Sequence, residues 1–70
     1  MALFCSKSSI ISPNPFLGNS GEIATLSNGT SWKVAAGEYN YLYAYYANVA
    51  ICPTRGIIVV SGVGINVAQI

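Results

Sequence analysis

The sequence predicts a small all-β protein, an antiparallel β-sandwich or small barrel of five or six short strands with an extended N-terminal arm. Three observations predict it. Residues 22–70 are rich in Val, Ile, Tyr and Thr, turn residues punctuate them at short intervals, and no stretch repeats apolar residues at helical spacing. Segments of that kind bury one face each by stacking two sheets or by closing one.

The arm comes first. Residues 1–21, MALFCSKSSIISPNPFLGNSG, carry five serines, two prolines and two glycines and read as a segment separate from a β domain over 22–70. Leu3, Phe4, Ile10, Ile11, Phe16 and Leu17 come in apolar pairs between polar spacers. That spacing suits an arm hooking into several pockets of a neighbouring subunit.

The β domain opens with EIATLSNGTSWKV. Asn28-Gly29 is the favoured pair for a two-residue type I′ hairpin, in which both central residues need positive φ. Such a turn fixes the register. Ser27 then faces Thr30, Thr25 faces Trp32 and Ile23 faces Val34 on the core side, with Glu22, Ala24, Leu26, Ser31 and Lys33 on the wetter side. Asn28-Gly29-Thr30 also spells a glycosylation sequon, but the hairpin explains the pair more simply.

After a corner at Ala36-Gly37, Tyr39, Tyr41, Tyr43 and Tyr45 alternate with Asn40, Leu42, Ala44 and Tyr46. On an extended strand this sets four phenols on one face. A break at Ala47-Asn48 leads to a short strand over 49–52. Pro53-Thr54-Arg55-Gly56 is a turn, with Pro and Gly at its outer positions. IIVVS, 57–61, is apolar on both faces and so reads as a central or doubly covered strand. Ser61-Gly62-Val63-Gly64 then turns into a final strand over 65–70.

Composition narrows the function. At 70 residues a lone core is marginal, and small domains make up the difference with disulfides, a metal or oligomerisation. Two cysteines, two carboxylates (Glu22 and Glu38) and no histidine make no ordinary metal site, and no cofactor motif is present. SGVGIN lacks the helix and third glycine of a dinucleotide loop. Cys5 and Cys52 fit no redox or metal spacing. They could pair within or between chains, but free, buried thiols are the expectation.

Oligomerisation remains, and the composition agrees. Hydrophobic residues make up 53% of the chain and charged ones 7%, against about 25% charged in typical soluble domains. A surface so poor in charge is expected to be covered by other chains. Lys7, Lys33 and Arg55 are too few and scattered to follow a phosphate backbone, so nucleic acid is not an expected partner. The apolar stretch 57–70 is too short to span a bilayer and is interrupted by Gly62 and Gly64. General acid–base work has no histidine to use. Glu22 and Glu38 read as solubilising surface residues, and neither Cys5 nor the serines have an activating base beside them except Lys7 or Lys33. The chain is read as non-enzymatic.

Gly29-Thr30-Ser31-Trp32-Lys33-Val34-Ala35-Ala36-Gly37-Glu38-Tyr39 resembles a phrase common in small β-rich structural proteins of tailed bacteriophages. There Gly-Thr, an aromatic and Val precede Pro-Ala-Gly and a second aromatic, as a strand entering a tight corner; this chain has Ala35 where proline is usual. LSNGTSWKV, 26–34, is similar to the opening hairpin of small SH3-like barrels. The first resemblance implies a virion structural protein, such as a capsid decoration (cement) protein or a tail or fibre component. Its partners would be copies of itself and another structural protein such as a major capsid protein. The expected assembly residues are Phe4, Ile10, Ile11, Phe16 and Leu17 on the arm and Tyr39, Tyr41, Tyr43 and Tyr45 on the aromatic face. Two alternatives stand beside this reading: an extracellular filament subunit that polymerises by strand donation, and an SH3-like module with an aromatic groove for peptide or glycan.

Overall fold

The computed structural model describes residues 5–70. Phe4, expected on the arm, lies outside them. Six strands are present: β1 (Ser6–Ser12), β2 (Ile23–Leu26), β3 (Ser31–Val34), β4 (Asn48–Cys52), β5 (Ile57–Val60) and β6 (Val63–Gln69). They close into a barrel in the order β1-β2-β3-β6-β5-β4, with every neighbouring pair antiparallel. The all-β expectation is met, in its barrel form.

Alternation decides what lies inside. Ala24 and Leu26 of β2, Trp32 and Val34 of β3, Val49 and Ile51 of β4, Ile58 and Val60 of β5, and Ile65 and Val67 of β6 all point to one core. Each strand contributes every second residue, as the pleat requires. The outer face of β5 is half-exposed at Ile57 and Val59, so this strand is covered fully on one side only. β1 and β6, seven residues each, run the length of the barrel. Ser6 to Ser9 pair with β4, while Ile10 and Ser12 pair with β2 across an irregularity in register.

This placement corrects the arm. Residues 6–12 are a barrel strand bonded on both edges, and Ile10 (1% exposed) and Phe16 (0%) sit in the chain's own core. The fold therefore draws no boundary at residue 21, and two of the expected hooking residues are spent inside the domain. Ile11 is exposed and Leu17 half-buried.

The first hairpin is also corrected. Ala24 pairs with Trp32 and Thr25 with Ser31, one residue away from the register a two-residue turn would set. Leu26 N–H donates to Thr30 O at 2.9 Å and Gly29 N–H to Leu26 O at 3.0 Å. The loop is thus three residues, Ser27-Asn28-Gly29, with only Gly29 left-handed (φ 87°). Asn28 serves through its side chain, whose Oδ1 accepts from the N–H and the hydroxyl of Thr30. The Thr30 hydroxyl in turn accepts from the indole N–H of Trp32 at 2.8 Å, which satisfies the polar atom of a nearly buried ring. The one-residue slip exchanges the faces of β2: Leu26 is 0% exposed and Ile23 47%, while Trp32 and Val34 lie in the core as expected. A two-residue turn does occur at Ser61-Gly62, where φ is 51° and 79° between the paired Val60 and Val63.

Cys5 and Cys52 are joined by a disulfide, contrary to the expectation of free thiols. The cause is register. Ser6 lies opposite Ile51 and Lys7 opposite Ala50, so the next pair along the ladder is Cys5 and Cys52, with Cα atoms 4.1 Å apart.

Candidate functional site

Residues 35–47, between β3 and β4, were expected to hold a tyrosine strand. The segment has no ladder beyond a single bridge between Ala44 and Phe16. Instead it runs antiparallel to residues 10–20 and is tied to them at intervals. Ser20 N–H donates to Glu38 O (2.7 Å), Leu42 N–H to Leu17 O (2.9 Å) and Ile10 N–H to Ala47 O (2.9 Å), while Phe16 and Ala44 exchange a pair at 2.7 and 2.9 Å. Side chains fill the gaps. Asn19 Oδ1 accepts from the N–H groups of Asn40 and Tyr41, Asn40 Nδ2 donates to Gly18 O, and Asn14 Oδ1 accepts from Tyr46 N–H.

Both carboxylates belong to this scaffold. Glu22, at the entry to β2, reaches back and accepts the N–H groups of Leu17, Gly18 and Asn19, the Gly18 bond at 2.8 Å. Glu38 accepts from the main-chain N–H and side-chain amide of Asn66 and from the Asn40 amide. These bonds, the Asn66 main-chain N–H foremost, hold the Glu38 carboxyl below its ordinary pKa. Neither is the free solubilising charge expected from sequence. Between them Gly18 is buried with φ 75°, and a Cβ there would lie 2.8 Å from Ile65 Cδ1 and 3.3 Å from Leu42 Cδ1. The left-handed backbone favours glycine here, and any larger residue would also have to displace the Ile65 methyl.

The alternation of the tyrosine segment survives without the strand. Leu42, Ala44 and Ala47 pack on the core, whereas Tyr39, Tyr41, Tyr43 and Tyr45 are all exposed, together with Tyr46. Tyr46 was not among the expected interface residues, although the Tyr45-Tyr46 doublet was the signal for it. Tyr41, Tyr43 and Tyr46 have φ of 49°, 52° and 46°, a left-handed backbone that bulky residues rarely adopt. Among the described residues none of the five phenol oxygens has a hydrogen-bond partner within the chain. The result is an uncharged aromatic face on a firmly bonded backbone.

A second surface is an open groove of about 750 Å³ beside β1, β4 and β5, whose lining includes Lys7, Ser9, Asn48, Ala50, Val59 and Ser61. Lys7 is the only titratable side chain there, and it is not paired with a carboxylate that could share a proton. No group of three or more His, Cys, Asp or Glu comes together among the described residues. Comparison of the chain with protein families, with curated sequences and with solved structures found no match.

Proposed function

We propose that this chain is a non-enzymatic structural protein that assembles with copies of itself, and with a further structural protein, through the tyrosine face of residues 39–46. One observation carries the reading: Tyr41, Tyr43 and Tyr46 occupy left-handed backbone positions while fully outward. Each costs about 1 kcal/mol where glycine or asparagine would sit without strain. An outlier of that kind, repeated three times on one exposed segment, points to side chains required for contact rather than for folding. Tyrosine suits the task, since it covers much area with few rotors and keeps a polar tip. The bonded backbone lowers the ordering penalty that binding otherwise carries.

The setting we propose is a virion, as a capsid decoration protein or a small tail or fibre component, with a major capsid protein among the partners. That narrower assignment rests on the likeness over residues 29–39. The disulfide supports it, because such bonds persist at virion and cell surfaces and in secreted proteins. Outward rings with free hydroxyls also favour a second reading, a glycan- or peptide-binding module. The filament reading has less support, because a closed barrel offers no open sheet edge to a donor strand.

The double substitution Y41G/Y43G tests the proposal. Sedimentation velocity under oxidising conditions should show the native chain associating as concentration rises and the double variant staying monomeric, with a melting temperature unchanged or raised. Equal association of the two proteins would overturn the reading. A native chain that stays monomeric but loses binding on a glycan array when the two tyrosines are replaced would establish the second reading instead.

A further inference from the structure

Of the six strands of this barrel, β1 contributes the fewest apolar side chains to the core. It places a single apolar side chain, Ile10, in the core, whereas each of the other five strands places at least two. The other β1 residues on that register are serines: half-buried Ser8 lies opposite Val49 and exposed Ser6 opposite Ile51, and the Ser8 hydroxyl bonds only the Ser27 hydroxyl at 3.0 Å. Short loops join β2 to β3, β4 to β5 and β5 to β6, while β1 reaches β2 through residues 13–22. Its partnership with β2 amounts to two residue pairs across a shift in register. A covalent tie, the Cys5–Cys52 bond, adds to the β1–β4 ladder at the N-terminal end of β1.

We infer that β1 is an exchangeable strand, and that two copies of the chain pair by trading it once the disulfide is reduced. A dithiol such as dithiothreitol supplies two electrons and two protons to the bridge. The Sγ–Sγ bond breaks, Cys5 and Cys52 become thiols, and the reductant leaves as its own cyclic disulfide. β1 can then swing out about residues 12–15, because Phe16 beyond them stays anchored by its burial and its paired bonds to Ala44. The vacated slot between β2 and β4 presents two open edges and the pocket of Ile10, and only another β1 matches its register. Where two copies trade the strand reciprocally, the pair closes with two-fold symmetry.

The test uses the full chain carrying Y41G/Y43G, so that the tyrosine face does not contribute to association. Light scattering after size exclusion should give the 7.3 kDa monomer for oxidised protein. Protein refolded from dithiothreitol at high concentration should give twice that mass. Next, Cys5→Ser and Cys52→Ser variants of this background are mixed, refolded together and reoxidised. In an exchanged pair the Cys5 of one chain meets the Cys52 of the other, so the mixture should give at least ten times more covalent dimer on a non-reducing gel than either variant refolded and reoxidised alone. A reduced chain that stays at the monomer mass, folded or unfolded, overturns the inference. So does a mixture that gives no more covalent dimer than either variant alone.

Discussion

Glu38 shows how much of the tyrosine segment's support rests on single side chains. Its carboxylate ties the corner after β3 to Asn66 of β6 and to Asn40, and those hydrogen bonds, led by the Asn66 main-chain N–H, favour the charged form. A glutamate whose folded pKa lies below its ordinary value, near 4.5, stabilises the native state above that value. The contribution is lost as pH falls through the lower, folded pKa. Melting curves of the native chain and of E38Q should therefore be well separated at neutral pH and converge in acid, below the ordinary glutamate range. Glutamine retains the shape and one acceptor oxygen but no charge, so a separation that does not change with pH would show that ionisation is irrelevant here. Gly18 makes the same point without charge: the turn it occupies exists because no Cβ stands between it and Ile65.

At the scale of elements, the strands of the second half were legible in position, over 49–52, 57–61 and 65–70, because turn residues bound them. Their facing was less so: 57–61 reads as apolar on both faces, whereas the structure buries Ile58 and Val60 and leaves Ile57 and Val59 half-exposed. The first hairpin was not legible, because Asn-Gly fits both a two-residue turn and a three-residue loop with a left-handed glycine, and the choice rests on packing. Leu26 fills the core better than Thr25 or Ser27 would. The tyrosine segment was legible in the facing of its first seven residues and not in its backbone, since Leu42 and Ala44 pack on the core while Tyr39, Tyr41, Tyr43 and Tyr45 are exposed. The arm misled for a related reason: Ser, Pro and Gly dominate its composition, and Ile10 and Phe16 find the core only through long-range pairing. A pair of substitutions checks the register. L26A should cost about 2–5 kcal/mol in chemical denaturation, the usual range for emptying a core leucine position. I23A, on the outer face, should cost under about 1 kcal/mol. The reverse order would restore the two-residue turn.

For the molecule as a whole, the disulfide is the feature that sequence spacing could not supply. Its partners are 47 residues apart and meet only because the barrel closes between its first and fourth strands. That seam joins segments distant in the chain, so its closure carries the loop entropy that a hairpin avoids. Linking residues at this separation removes disorder from the unfolded chain worth about 4 kcal/mol. A domain of this size has a total stability of only about 4–10 kcal/mol, so the bond accounts for a large share of it. Dilute C5S/C52S protein should accordingly melt on the order of 20 °C lower than the oxidised chain, at about 4–8 °C per kcal/mol for small domains. Calorimetry at low concentration checks this, and a shift of only about 5 °C would mean that hydrogen bonds and Ile10 alone hold the seam. At high concentration the loss should be partly recovered, because pairing through β1 stabilises the folded state by mass action. A melting temperature that rises with protein concentration in C5S/C52S carrying Y41G/Y43G, and stays constant in the oxidised protein bearing the same two tyrosine substitutions, would connect the stability of the monomer to the strand it can exchange.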